Sequence, residues 1–228
     1  MIDISNPYEV QKFAEQEGIP ISAVYDMGIK FYTSEIHNMP GNPSLYLKRG
    51  DCYFENEVYD LAIKDYTKLT ELDPSNPNGF HYLADCYQKI GNFDEALKNF
   101  NKATEFTEYE RLDSVYYHRA YLYFDNNQYQ EALADINKAI ELRPDGISEY
   151  YKFRSNVYYA LHDEEKALDD FDYWKSARIE GLKKMLEKFP QREKEDMLFG
   201  LFSQLNNDEQ NEFLAELAFQ TKVLKEGL

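Results

Sequence analysis

Four histidines and two cysteines are the side chains of this sequence best suited to metal binding or nucleophilic catalysis. The histidines are spread along the chain, at His37, His81, His118 and His162. None of them lies in a recognisable metal-binding or catalytic-triad motif, and the sequence has no glycine-rich phosphate loop. We therefore expect a protein that is not an enzyme and that has no catalytic residues, no cofactor and no metal site.

A pattern that returns every 34 to 36 residues must position these side chains. The runs that begin at residues 43, 77, 113 and 148 share an aromatic residue at position 4, a small residue at position 8 and a tyrosine at position 11. They also share alanine at position 20 and a bulky apolar residue at position 24, namely Tyr66, Phe100, Ile136 and Phe171. Asn-Pro pairs at 42–43 and 76–77 predict helix starts, with asparagine as N-cap and proline at the first helical position. We expect positions 4, 11 and 24 to fill a core between helices.

This pattern resembles the tetratricopeptide repeat, a helix–turn–helix unit of 34 residues. The resemblance covers residues 43–181 as four repeats, at 43–76, 77–110, 113–146 and 148–181. It implies an all-α fold, a right-handed α-solenoid, because one repeat cannot bury its apolar face alone and must stack on its neighbours.

The flanks of the repeats carry helical patterns of their own. Residues 1–42 are expected to form an N-terminal helical cap, whose second helix follows Pro20 and has Val24, Met27, Phe31 and Ile36 on its apolar side. Residues 182–228 are expected to form a C-terminal helical extension. That extension is either a structural cap, which a repeat array needs at its ends, or a dimerisation surface.

Two repeat positions change together within the chain. Three repeats have arginine at position 7 and aspartate at position 23, whereas the second repeat has Leu83 and Asn99. The three combinations are Arg49 with Asp65, Arg119 with Asp135, and Arg154 with Asp170. We predict that each forms an ion pair between the two helices of its repeat and chiefly sets their geometry. The alternative is that these arginines face a ligand.

The resemblance also implies a binding surface on the first helix of each repeat, whose positions 2, 5, 9 and 12 line the concave face of such arrays. These positions predict a partner-binding groove that includes Leu47, Asp51, Phe54, His81, Asp85, Tyr117, Tyr121, Lys152 and Asn156. Its centre is expected at the third repeat, because aromatic side chains such as Tyr117 and Tyr121 often anchor protein interfaces. The alternative is that the terminal helices fold back and cover these residues.

Two details narrow the chemistry of this groove. His81 and His118 belong to adjacent repeats and could approach each other beside Asp85, and such a set can hold zinc. We expect the two histidines to be partly exposed polar residues instead. Some co-chaperones of this family grip a C-terminal carboxylate with a basic clamp, and that clamp is absent because Leu47 and Asp51 stand where it needs lysine and asparagine.

The formal net charge of −17 at pH 7 limits the choice of partner. Nucleic acids and anionic membranes are disfavoured, because both bind through an excess of lysine and arginine. The charge either keeps the surface well solvated or attracts a basic ligand. The sequence opens without a signal peptide, and no run is long and apolar enough to span a membrane. With Cys52 and Cys86 interpreted as core thiols of a reducing compartment, we expect a cytoplasmic protein.

These observations predict a non-enzymatic interaction module or scaffold that binds a peptide or protein segment in the concave groove, with a basic segment as one of the two interpretations of the net charge. One alternative is a cytoplasmic chaperone resembling the acidic tetratricopeptide chaperones of bacterial secretion systems. The other is a structural subunit that forms homodimers or larger assemblies through its C-terminal helices.

Overall fold

The computed structural model describes residues 6–144 and 148–187, which form ten α-helices and no strand. The helices are α1 (Pro7–Glu17), α2 (Ile21–Asn38), α3 (Pro43–Glu55), α4 (Tyr59–Leu72), α5 (Pro77–Lys89), α6 (Phe93–Thr104), α7 (Leu112–Asp125), α8 (Tyr129–Leu142), α9 (Ser148–Ala160) and α10 (Glu164–Glu187). Within those residues, no helix has both the length and the apolar character to cross a membrane. The helices predicted after residue 187 lie outside the described residues.

The chain divides into two compact units, Met1–Arg143 and Pro144–Leu228. In the first unit, α3 packs on α4, α5 on α6 and α7 on α8, and these three pairs are joined by contacts of α4 with α5 and of α6 with α7. Helix α2 packs against α3 and so extends the same stack towards the N-terminus. In the second unit, α9 packs on α10.

Side-chain caps set where several helices begin and end. The Oδ1 atoms of Asn42 and Asn76 each accept a hydrogen bond of 3.1 Å from the second helical amide of α3 and α5, and proline occupies the first position of both helices. Asn6 caps α1 in the same way, and Gly18 ends that helix with a φ of 65°. The predicted Asn-Pro helix starts are therefore confirmed.

The turn inside each repeat places its fifteenth residue in the left-handed region. The φ angles lie between 60° and 74° at Glu57, Gly91, Asn127 and His162. Glycine adopts this conformation without steric cost, whereas the other three residues meet a Cβ penalty there. The turn geometry is thus kept in all four repeats although only one of them has glycine.

Alanine at position 20 lets the two helices of a repeat approach closely. Its exposed fraction is 0% at Ala62, Ala96 and Ala132 and 6% at Ala167. Position 24 is equally buried in the first three repeats, at Tyr66, Phe100 and Ile136. A close-packed core of this kind tolerates no longer side chain at position 20.

The fourth repeat departs from the predicted core. Phe171, at position 24, is 36% exposed, whereas Trp174, three residues later, is 1% exposed. Position 27 is held by Leu69, Ala103 and Ala139 in the other repeats, and all three are buried. In this repeat the buried ring is therefore the indole at position 27 and not the predicted phenyl ring, and the two rings lie 5.3 Å apart.

The apolar side predicted for α2 is also wrong in part. Met27 and Phe31 are 53% and 39% exposed. The buried side consists of Val24, Tyr25, Gly28 and Tyr32. Packing of α2 on α3 selects the tyrosine side of the helix, because an aromatic ring with a polar tip fills the interface and still reaches solvent.

Candidate functional site: a trough in the first unit

The predicted arginine–aspartate pairs are present in the structure as bidentate contacts between the two helices of a repeat. In each pair, Nε and Nη2 of arginine donate to the two carboxylate oxygens over 2.7 or 2.8 Å. The pairs are Arg49–Asp65, Arg119–Asp135 and Arg154–Asp170. All three aspartates are buried. Each of these guanidinium groups therefore holds a helix pair together.

The second repeat shows what replaces such a pair. Leu83 is 5% exposed and packs in the core, and the Asn99 side chain donates a 2.8 Å hydrogen bond to the carbonyl of Glu95 in its own helix. In this repeat both the arginine and the buried carboxylate are replaced by uncharged residues, so no buried charge is left unpaired.

A cavity of about 800 Å³ lies along the first helices of the first three repeats. We call it the trough. Its walls come from α3, α5 and α7, with one residue each from α2 and α4 and one from the segment before α7. The lining residues are Tyr25, Asp51, Phe54, Glu55, Tyr66, Tyr82, Asp85, Gln88, Lys89, Arg111, Tyr117, His118, Tyr121 and Asp125.

Asp51 lies recessed at the N-terminal side of the trough. One of its oxygens accepts a 2.8 Å hydrogen bond from the hydroxyl of Tyr66. Among the described residues, no cation lies within ion-pair distance of this carboxylate. Burial is the largest cause that raises the pKa of Asp51, to about 6. Arg111 and Lys48 lower the pKa of Asp51 only in part, from beyond ion-pair distance. Near neutral pH the trough therefore contains a desolvated negative charge with no cation in direct contact.

The aromatic lining surrounds this charge. The rings of Tyr66 and Tyr82 lie 5.3 Å apart, and those of Tyr117 and Tyr121 meet edge to face at 5.1 Å. The guanidinium of Arg111 donates to the hydroxyl of Tyr82 and lies over its ring. With four carboxylates and two cations among its lining residues, the trough is acidic as well as aromatic.

Three side chains converge at the wall shared by α5 and α7. Nε2 of His81 lies 3.3 Å from Nδ1 of His118, which lies 2.8 Å from Oδ1 of Asp85. Nε2 of His81 is also 3.6 Å from Oδ2 of Asp85. We call these residues the His–Asp–His cluster. His81 was predicted to be partly exposed, but its exposed fraction is 0%.

Burial and neighbouring charges shift the pKa values of this cluster in opposite directions. Burial lowers the pKa of His81 to about 4, so its imidazole is neutral at pH 7. Burial also lowers the pKa of His118, but the Asp85 carboxylate more than offsets that effect, so the pKa is raised. Burial raises the pKa of Asp85, and the neighbouring histidines outweigh it and leave that pKa below its ordinary value.

Three sequence models of the tetratricopeptide repeat (TPR) family match the chain, at residues 50–91, 77–108 and 114–145. The chain is a TPR protein. Its repeats stack into a surface suited to binding other proteins, so this TPR protein is an interaction module. No curated protein sequence matches it.

Solved structures share the fold of this TPR protein. The crystal structure of MamA is 19% identical, with a TM-score of 0.64 over 75% of this chain and 95% of that chain. A MamA segment from Desulfovibrio magneticus RS-1 is 14% identical, with a TM-score of 0.62 over 75% and 92%. YrrB, described as a TPR protein with an unusual peptide-binding site, is 20% identical, with a TM-score of 0.56 over 75% and 86%. These likenesses show an all-α TPR solenoid.

Five of the predicted groove residues line the trough of the TPR protein: Asp51, Phe54, Asp85, Tyr117 and Tyr121.

Four predicted groove residues lie elsewhere. Leu47 packs against the core cluster around Tyr66, and His81 is buried behind the lining. Lys152 and Asn156 belong to the second unit, where both are exposed and the ammonium of Lys152 lies 4.1 Å from the centre of the Trp174 ring.

Five of the lining residues outside the predicted groove share two repeat positions. Position 6 contributes Tyr82 and His118, and position 13 contributes Glu55, Lys89 and Asp125. Both positions lie one residue beyond the expected positions 5 and 12, so a slightly wider helical face would have included them.

Of the two N-terminal helices, α2 contributes to the trough without filling it. Tyr25 of α2 forms part of its wall, although this residue lies outside the repeats and no repeat position marks it. Residues before the first repeat thus serve as both an end of the stack and a side of the cavity.

The two cysteines do not face the trough. Cys52 and Cys86 are unpaired thiols with an exposed fraction of 0%. Burial raises the pKa of Cys52 to about 12 and raises that of Cys86 as well. Both thiols are therefore protonated packing residues, which fits the interpretation of core thiols.

Proposed function

We propose that this TPR protein binds a segment of another protein that carries lysine or arginine, and that the basic side chain enters the trough beside Asp51. The supporting observation is the desolvated carboxylate of Asp51, whose pKa is raised to about 6 and which accepts only a hydroxyl donor from the described residues. An incoming cation supplies the missing counter-charge. Because the site is already desolvated, that contact is stronger than a surface ion pair.

The aromatic walls suit the rest of such a side chain. Lysine and arginine carry apolar stems below their charge, and tyrosine rings offer both stem packing and cation–π attraction. Tyr66 contacts Asp51 and Tyr82 lies beside Tyr66, while Tyr25, Tyr117 and Tyr121 also line the trough. A cavity of about 800 Å³ is large enough for a few residues of a bound segment.

Charge over the whole molecule favours the same partner. A net charge of −17 raises the local concentration of basic segments and speeds their association, and salt screens this attraction. The fold of YrrB, which has a peptide-binding site, lends support to a peptide as ligand. We further propose that residues 1–42 act as a cap that completes the trough, that 43–181 form the four repeats, and that 182–228 extend them.

The test uses short random peptides displayed on phage and selected on the wild-type protein in the presence of EDTA. We expect the selected peptides to be enriched in lysine and arginine. One selected peptide, labelled with fluorescein, is then titrated by fluorescence anisotropy. We expect Asp51→Asn and Tyr121→Ala each to weaken its binding about tenfold, which corresponds to about 1.4 kcal/mol.

The matched control is Asp60→Asn, which removes the same charge from an exposed position on α4 outside the trough. This variant should bind the peptide within about twofold of the wild type, because exposed charges are screened. Selection of peptides with no basic residues, or equal losses for Asp51→Asn and Asp60→Asn, contradicts the proposal.

A further inference from the structure

The His–Asp–His cluster has the dimensions of a metal site. Nδ1 of His118 lies 3.3 Å from Nε2 of His81 and 2.8 Å from Oδ1 of Asp85, and Nε2 of His81 lies 3.6 Å from Oδ2 of Asp85. With one ligand atom taken from each residue, the three atoms lie within 4.8 Å of one another. Ligands at about 2.0–2.1 Å from a tetrahedral zinc ion are about 3.3 Å from one another. Each of these three distances, one of which involves the second Asp85 oxygen, is within about half an ångström of that ligand–ligand separation.

Hydrogen bonds set the tautomer of His81. The hydroxyl of Tyr109 donates to Oδ1 of Asn78 over 2.8 Å, and the amide of Asn78 is held by its own bond to Asn76. That hydroxyl must therefore accept the bond that joins it to Nδ1 of His81, over 3.2 Å. Nδ1 carries the proton, and Nε2 presents its lone pair to Asp85 and His118.

This arrangement matches the surroundings of histidine ligands in metal sites. A ligating histidine usually donates its second N–H to an oxygen that orients the ring. Tyr109 supplies that oxygen, and Asn78 holds Tyr109 in turn. Because His81 is fully buried, its ring has little freedom to turn away from the cluster.

The cluster is also accessible to an ion from the trough. Asp85 and His118 line the trough, whereas His81 lies behind them. An ion that enters from the trough meets two ligands at the wall and the third beneath them. A fourth coordination position then faces the trough and is open to water or to a side chain of a bound segment.

We propose that His81, Asp85 and His118 bind one zinc ion. Two imidazoles and one carboxylate suit zinc, whereas calcium and magnesium prefer ligand sets made of oxygen. Asp85 supplies negative charge, and Asp51 and Glu55 in the same trough offset the charge of Arg111. The proposal is independent of the peptide-binding function, because that function is tested in the presence of EDTA.

The test is a zinc titration of the untagged, EDTA-treated full chain against a chromophoric chelator. We expect one zinc per chain with a dissociation constant of about 1 µM or lower. Cobalt bound at the same site should give the intense visible bands of tetrahedral coordination. His118→Ala and Asp85→Asn should each weaken zinc binding by at least about 100-fold, and Tyr109→Phe by about tenfold.

The control variant is His37→Ala/His162→Asn, which removes the other two histidines of the sequence. Asparagine is chosen at position 162 because it tolerates the φ of 61° there. This variant should bind zinc as the wild type does. If His118→Ala does not fold, Asp85→Asn and the wild type decide the outcome.

Two results overturn the proposal. One is a wild-type dissociation constant weaker than about 100 µM, which is ordinary for scattered surface groups. The other is zinc binding that does not depend on the cluster, seen either as binding that survives in both Asp85→Asn and His118→Ala or as binding that is lost in His37→Ala/His162→Asn. As an independent readout, zinc should raise the melting temperature of the wild type and leave that of folded His118→Ala unchanged.

Discussion

Asp65 and Asp51 lie on the two helices of one repeat, and their carboxylates have opposite surroundings. Asp65 receives two charged donors from Arg49, at 2.7 and 2.8 Å. Asp51 receives one hydroxyl from Tyr66. The first carboxylate is a cross-link between helices, and the second leaves its charge available to a ligand.

The same comparison extends to the second repeat. It lacks the arginine cross-link and has Leu83 and Asn99 in its place, yet it supplies His81 and Asp85 to the cluster in the trough wall. A buried charge that is paired within the fold helps to fix the relative position of two helices. A buried charge without a counter-ion in contact lowers stability but remains available to bind a ligand.

The largest effect should come from breaking a cross-link. Arg119→Leu leaves the buried carboxylate of Asp135 without its cation, so we expect the free energy of unfolding to fall by about 3 kcal/mol. Urea denaturation followed by circular dichroism measures the change.

The double variant Arg119→Leu/Asp135→Asn reproduces the combination of the second repeat, and should recover most of that loss because no buried charge is left unpaired. If the double variant is no more stable than the single one, the arginine acts through packing and not as a counter-ion.

A smaller change of opposite sign is expected at Asp51. Its pKa is about 6 in the folded chain and 3.8 ordinarily, so the ionised form destabilises the fold above pH 6 and this cost vanishes below about pH 4. Asp51→Asn should therefore raise the free energy of unfolding at pH 7.5 by about 2 kcal/mol and change it little at pH 4. Urea melts at the two pH values check this. If Asp51→Asn is more stable than the wild type and binds the basic peptide less well, then Asp51 serves binding at the expense of stability, unlike Asp65. If Asp51→Asn is less stable, this difference between the two carboxylates is contradicted.

The smallest effect concerns the tyrosine that supports Asp51. A Cβ added at Gly50 would lie 2.6 Å from Cε1 of Tyr66, so the ring that donates to Asp51 would have to shift. The cost of overpacking outweighs the gain in helix propensity. We therefore expect Gly50→Ala to lower the free energy of unfolding by about 1 kcal/mol. Gly41→Ala, where a Cβ meets nothing within 4 Å, is the control and should be close to neutral.

Repeat position alone was enough to anticipate several contacts. Arg119 and Asp135 vary together with their equivalents in the other repeats, and such covariation within one chain reports a contact. Asn42 and Asn76 mark helix starts because capping is a local interaction. Repeat position did not predict the exposure of Phe171, because that exposure depends on how Trp174 packs in the core of the same repeat.

The sequence by itself determined the period, the helix starts and which residues face one another within a repeat, because these follow from interactions over at most one repeat length. Only the tertiary structure decided that His81 is buried, that Tyr25 lines the trough and that the pKa of Asp51 is raised to about 6. Each of these depends on how α2, α3, α5 and α7 pack together, since burial and electrostatic environment are properties of the assembled stack.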